Sequence, residues 1–99
     1  MSEKIQVKDN KEKKRFELER EGKTSFVDYI LTNQGTIYLT HTEVPKELEG
    51  QGIASDLLSG VFQVVSEREL SVVPICPFVK SWLSRNPDWK RLLHENHRF

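Results

Sequence analysis

The sequence predicts an α+β (mixed α/β) fold with a largely antiparallel sheet and one strand–helix–strand crossover. Three observations lead to this prediction. The first 44 residues alternate strand-like segments with polar turns. A segment with helical periodicity follows, and a short apolar segment comes directly after it. The chain has 99 residues, so residues 1–99 are expected to form a single domain with one core.

The predicted strands occupy the first part of the chain. They are rich in β-branched and aromatic residues or alternate apolar with charged side chains. We place them at residues 5–8, 15–20, 24–31 and 36–44, with turns at Asp9-Asn10-Lys11, Glu21-Gly22 and Asn33-Gln34-Gly35. Because side chains alternate along a strand, the fourth strand should present one face made of Ile37, Leu39, His41 and Glu43.

The crossover begins with an amphipathic helix from Gly52 to Arg68, whose apolar residues recur every 3.6 positions. A short apolar strand, Ser71 to Cys76, should then lie parallel to the fourth strand. Pro74 cannot donate a backbone hydrogen bond. If the two strands separate towards their ends, the fourth strand offers unpaired backbone groups to a ligand that contains amides. Two short helices, 78–83 and 87–94, should close the chain.

The segment Glu49-Gly50-Gln51-Gly52-Ile53-Ala54 joins the fourth strand to the helix. Its glycines let the backbone come close to a ligand. The helix adds unpaired first-turn N–H groups and the positive end of its dipole. Together they bind phosphate without needing a lysine, so this junction predicts a nucleotide-type ligand.

Composition excludes several classes of protein. With 36% hydrophobic and 30% charged residues, the chain is typical of a soluble protein rather than a disordered or membrane one. The polar first ten residues show no signal peptide, and the single cysteine, Cys76, cannot form an internal disulfide, so a cytoplasmic setting is expected. A net charge of +0 argues against a nucleic-acid partner. Residues 25–79 carry 2 basic and 7 acidic side chains, net −5, which suits a cationic substrate or a merely solvated face.

The strand, glycine turn, helix and strand together resemble the acetyl-CoA-binding core of the GNAT superfamily of N-acetyltransferases. The family pattern is Gln or Arg, two variable residues, Gly, one variable residue, then Gly or Ala. Gly52 and Ala54 fit this pattern, whereas Glu49 stands where the family has Gln or Arg. The runs 41–45 and 73–79 resemble a compact single-domain subgroup. The chain lacks the two early helices that commonly form the acceptor wall in this family.

The resemblance implies acetyl-CoA or CoA as the ligand. Backbone N–H groups of the glycine turn would hold the pyrophosphate, and the end of the fourth strand would pair with the pantetheine amides. The implied binding residues are Thr42, Val44, Gly50, Gln51, Gly52, Ile53, Ala54, Ser55, Cys76 and Phe78. Arg85, Lys90 and Arg91 could meet the 3′-phosphate, or could simply be exposed basic residues.

The resemblance also implies an acetyl thioester attacked by a neutral amine, so a base must first remove a proton. Glu43 or His41 is the expected base. Cys76 has three possible roles: a contact with the cofactor, a transient acetyl acceptor, or a small buried hydrophobic residue. Both tyrosines are early, so the usual late tyrosine acid is missing. His94 and His97 lack further ligands, and no metal site is predicted.

Two functions follow from these observations. The first is an N-acetyltransferase that acts on an amine of a peptide or a polyamine. The second is a CoA-binding regulatory or interaction module with little turnover. Its support is the short chain, the missing tyrosine and Glu49 in the phosphate turn. Neither function involves nucleic acid or a membrane.

Overall fold

The computed structural model describes residues 6–99 and contains one five-stranded sheet flanked by two α-helices. The strands lie in the order β1-β2-β3-β4-β5; the first four pair antiparallel, and β5 runs parallel to β4. Their bounds are β1 (Lys8–Asn10), β2 (Arg15–Arg20), β3 (Lys23–Leu31), β4 (Thr36–Glu43) and β5 (Ser71–Pro74). The helices are α1 (Ile53–Glu67) and α2 (Pro77–Arg85). Helix α1 connects β4 to β5, so the predicted α+β fold with its crossover is confirmed.

The first strand lies later in the chain than predicted. Residues 5–8 were the predicted segment, but β1 is Lys8–Asn10, and Ile5 lies outside the described residues. The turn predicted at Asp9-Asn10-Lys11 was therefore wrong, because Asp9 and Asn10 are in the strand. The Asn10 side chain does support a turn, but the following one: its Oδ1 accepts a hydrogen bond from the Lys13 N–H, at 3.1 Å.

The end of the chain also differs from the prediction. The helix expected at residues 87–94 is a 3₁₀ helix, Pro87–Leu92, and two further 3₁₀ turns occupy Lys46–Leu48 and Glu95–His97. The helix that begins at Pro87 ends at Leu92 because the next residues join the edge of the sheet. Leu93 forms a parallel bridge with Val72, and the His94 N–H donates to the Val72 carbonyl oxygen at 2.8 Å. A backbone group bound to the edge strand cannot also continue a helix.

The hydrophobic core lies between one face of the sheet and the two helices. Trp82 of α2 stacks on Phe62 of α1, with ring centroids 5.4 Å apart, and both are fully buried or nearly so. The sheet contributes alternate residues of each strand, as its pleat requires. The core residues of the sheet include Phe16, Leu18, Val27, Tyr29, Ile37, Leu39 and Val72.

An irregularity in β4 decides which side chains lie on each side of the sheet. Tyr29 and Asp28 are adjacent in β3, but their partners in β4 are Leu39 and His41. Thr40, which lies between these partners, therefore has no partner of its own in β3. The regular pairing resumes with Thr42 opposite Val27. Such a bulge reverses the alternation beyond it. Thr42 therefore lies on the helix-covered face, opposite the buried Val27. The prediction that His41 and Glu43 share a face with Ile37 and Leu39 was wrong, because both lie on the other face.

Candidate functional site

The glycine turn before α1 presents free backbone donors. Gly50 and Gly52 have φ angles of 85° and 76°, in the left-handed region that glycine adopts without strain. The first helical hydrogen bond runs from the Asp56 N–H to the Gly52 carbonyl oxygen, at 3.1 Å. The N–H groups of residues 53–55 therefore precede the hydrogen-bonded part of the helix. No side chain among residues 6–99 caps α1 at Gly52. The turn thus has the donors and the dipole that an anion needs.

A cavity of ≈ 370 Å³ opens beside these donors. Seven of the ten predicted binding residues line it: Thr42, Val44, Gly50, Gly52, Ile53, Ala54 and Phe78. Gln51, Ser55 and Cys76 do not. Sequence reasoning missed Leu48 and placed Glu49 only in the turn, yet both line the cavity. The 3₁₀ turn Lys46–Leu48 brings them there, and the apolar Leu48 among charged neighbours was the available signal.

Strands β4 and β5 separate before β4 reaches Thr42, which lines the cavity. Their pairing ends at Leu39 with Pro74. The N–H groups of Ile75 and Cys76 both donate to the Leu39 carbonyl oxygen, at 3.0 and 2.9 Å. Because two successive donors converge on one acceptor, the chain turns away from β4, and residues 40–43 extend beyond the parallel pairing. This is the separation that Pro74 predicted, and it leaves that edge of β4 available to a ligand with amide groups.

Cys76 lies at this separation, directly before α2. Its side chain is buried, and the thiol donates a hydrogen bond to the hydroxyl oxygen of Thr42 at 3.6 Å. Thr42 itself lines the cavity. Cys76 therefore lies behind Thr42 and does not line the cavity itself. This arrangement agrees with a position near the ligand's thiol end and with a packing role.

His41 and Glu43 lie on the opposite face of the sheet. The side chains are 58% and 61% exposed, with His41 Nε2 3.9 Å from Glu43 Oε1. The ring of Phe26 lies beside His41, with centroids 6.3 Å apart. The structure therefore brings these two candidate bases together, but on the far side of β4 from the cavity. Any role for them requires a substrate that reaches the strand separation from that face.

A hydrogen bond that the sequence did not predict joins the two helices at the glycine turn. The indole nitrogen of Trp82 donates to Ser55 Oγ at 3.0 Å. Trp82 is otherwise a buried core residue. The bond joins the first turn of α1 to α2, whose N-cap residue is Cys76. No local pattern could have revealed it, because the two residues are 27 positions apart.

Among residues 6–99, no group of three or more histidine, cysteine, aspartate or glutamate side chains is arranged to hold a metal ion. His94 and His97 do lie close together, with ring centroids 5.9 Å apart, and His94 Nδ1 accepts a hydrogen bond from the Asn96 N–H. Within the described part of the chain, no helix combines the length and the hydropathy needed to span a bilayer.

Comparison with known proteins identifies the family to which this geometry corresponds. A family model described as GCN5-related N-acetyl-transferase matches residues 15–92. A solution structure from Staphylococcus aureus, described as a "GCN5-like putative N-acetyltransferase", aligns with a TM-score of 0.69 at 23% sequence identity. That alignment covers 94% of this chain and 91% of the other. At this identity the structural match shows the shared fold, and the family model carries the assignment.

Proposed function

The chain belongs to the GCN5-related N-acetyltransferase family, and on that premise we propose that it transfers the acetyl group of acetyl-CoA to an amine of a peptide or a polyamine. The observation that carries this proposal is the coincidence of three features around one cavity. They are the uncapped N-terminus of α1, the two left-handed glycines, and the separated edge of β4. The first two suit the pyrophosphate of acetyl-CoA, and the third suits the amides of its pantetheine arm.

The residues of the cavity suit this ligand. The backbone N–H groups at the start of α1 would bind the pyrophosphate, because they are unpaired and the helix dipole favours negative charge there. The free edge of β4, from Thr42 to Val44, would bind the amides of the pantetheine arm. Phe78 would cover that arm from α2. When bound, acetyl-CoA supplies an activated thioester at the strand separation.

The protein's chemical task is then to make the acceptor nucleophilic. A protonated amine has no free electron pair, so a base must take its proton. Glu43 is our candidate base, with His41 as the alternative, since both flank the strand separation on the face away from the cavity. The donor would then occupy one side of β4 and the acceptor the other, which keeps their binding sites distinct.

The acceptor face favours a cationic group on a flexible segment. It carries the carboxylates of Asp28 and Glu43 next to the rings of Phe26 and His41. Glu43 and His41 are exposed, and an open surface suits an extended peptide better than a small molecule that needs enclosure. We therefore propose a lysine or terminal amine of a peptide as the preferred acceptor, with polyamines second. A reducing compartment such as the cytoplasm suits the free thiol of Cys76.

Calorimetric titration with acetyl-CoA and CoA tests the proposal. We expect micromolar affinity, about −8 kcal/mol, for the wild-type protein. Gly52→Asp should abolish binding, because it places a carboxylate against the phosphates. Gly52→Asn is the matched control, since Asn has the same shape, tolerates positive φ equally well and carries no charge. An added Cβ at Gly52 meets nothing within 4 Å, and the backbone strain at a φ of 76° is shared by both variants, so their difference reports the charge.

The binding result and a transfer assay together decide the outcome. Release of free CoA from acetyl-CoA, measured with a lysine-containing peptide and with a polyamine, identifies the acceptor class. Equal binding by Gly52→Asp and Gly52→Asn would contradict the phosphate role of the turn. Binding without CoA release for any amine would contradict the proposed transfer.

A further inference from the structure

The sequence around the glycine turn carries the wrong charge for binding phosphates. Between residues 45 and 56 there is one basic residue, Lys46, and three acidic ones, Glu47, Glu49 and Asp56, a net charge of −2. Asp56 lies in the first turn of α1, and a residue three positions from Ile53 is only about 4.5 Å further along the helix axis. These carboxylates are within a Debye length of any bound pyrophosphate, so they should repel it.

The β2–β3 hairpin brings compensating cations to this turn. Arg20 and Lys23 pair with each other at the tip of the hairpin. Arg20 Nη1 lies 3.2 Å from Asp56 Oδ2, and Lys23 Nζ lies 3.7 Å from Glu47 Oε2. One hairpin therefore contacts the elements on both sides of the glycine turn, the 3₁₀ turn and α1. At contact distance, Arg20 therefore offsets the carboxylate of Asp56, and Lys23 offsets that of Glu47.

We propose that the β2–β3 hairpin enables the glycine turn to bind phosphate by offsetting the negative charge of the nearby carboxylates. Arg20 is the main charge-compensating residue. This inference rests on the proposed binding of acetyl-CoA. The two ion pairs have side chains that are about 40% or more exposed, and exposed pairs contribute little to folding stability. Their effect should instead be on an anion bound nearby. Arg20 acts through Asp56, as a positioning residue, and does not need to contact the ligand.

Calorimetry at low salt on one single and one double variant tests the inference. Arg20→Gln should weaken CoA binding by about three- to tenfold, because Asp56 is left uncompensated beside the phosphates. The double variant Arg20→Gln with Asp56→Asn should recover the wild-type affinity. Acetyl-pantetheine carries no phosphate, so its affinity should not change in either variant. The effect on CoA should shrink as salt is raised, which a purely structural defect would not show.

Lys13→Gln is the matched control. It also removes one exposed positive charge, but from the turn at the other end of β2, roughly 20 Å from Arg20 at about 3.3 Å per residue. Its CoA affinity should equal that of the wild type. Weak binding that persists in the double variant would overturn charge compensation and indicate direct contact between Arg20 and the ligand. Equal affinity of Arg20→Gln and wild type would overturn this inference alone, whereas a wild-type protein that binds no CoA would overturn the proposed function as well.

Discussion

The thiol of Cys76 donates a hydrogen bond to the hydroxyl oxygen of Thr42, 3.6 Å away, at the point where β4 and β5 separate. This contact joins the wall of the cavity to the start of α2. It also keeps the sulfur buried against a neighbouring side chain, which is the environment of a packing cysteine rather than of an exposed nucleophile.

We therefore predict that Cys76 is not an acetyl acceptor. The wild-type protein incubated with acetyl-CoA should gain no acetyl group by mass spectrometry. Cys76→Ala should keep CoA release within about tenfold of the wild-type rate and lose roughly 1 kcal/mol of unfolding free energy, because a buried atom is removed. A mass gain of one acetyl group that is absent from Cys76→Ala would show that the thiol does react.

Glu43→Gln should lower the rate of acetyl transfer by at least about 100-fold, which is the usual contribution of a general base. CoA affinity should stay unchanged, because Glu43 lies on the far side of β4 from the cavity. His41→Gln should cost less than tenfold. Glu19→Gln provides the control, since Glu19 is on the same face but two strands away, roughly 10 Å. A larger loss for His41→Gln than for Glu43→Gln would reverse the assignment of the base.

Glu49→Gln should tighten CoA binding by about two- to fivefold at low salt. Glu49 lines the cavity next to the glycine turn, so its carboxylate repels the phosphates. The gain should disappear at high salt and be absent for acetyl-pantetheine. Glu12→Gln, an exposed residue in the β1–β2 turn, controls for the change in net charge. If Glu49→Gln binds CoA more weakly, then Glu49 accepts a hydrogen bond from the ligand.

Tyr29 should make stability fall at alkaline pH. Burial, as the larger cause, and the hydrogen bond to Asp9, at 2.6 Å, together raise the pKa of Tyr29 to about 12. The unfolded chain titrates near 10. The folded state therefore holds its proton more tightly, and the contribution to stability is complete below pH 10 and is lost as the pH rises towards 12. A shift of this size corresponds to roughly 3 kcal/mol.

Urea unfolding at pH 8, 10 and 11.5 measures this effect in wild type and Tyr29→Phe. The difference in unfolding free energy between the two proteins should shrink as the pH rises. Tyr38→Phe is the comparison variant, because it removes the other tyrosine hydroxyl. A constant difference across this range would mean that the Tyr29 hydroxyl titrates normally in the folded protein.

Much of the fold was predictable because its signals are local. The helical periodicity and the glycine before it predicted α1 to within one residue at each end, since φ at Gly52 and the apolar spacing are properties of the segment itself. Strand β2 matched its predicted bounds for the same reason. The first strand did not match. Asp9 looks like a turn residue in isolation, but in the fold its carboxylate accepts hydrogen bonds from Tyr29 and Arg68, which are distant in sequence.

Local sequence patterns were enough to predict most of the elements, their order, and the glycine turn before α1. Only the tertiary structure decided which groups meet at the site. The bulge at Thr40 arises from the pairing of β4 with β3, and it moved His41 and Glu43 to the opposite face of the sheet. The contacts from Trp82 to Ser55 and from Arg20 to Asp56 join segments 27 and 36 residues apart. Periodicity records how a residue relates to its near neighbours, whereas register and charge compensation depend on which distant strand or helix packs beside it.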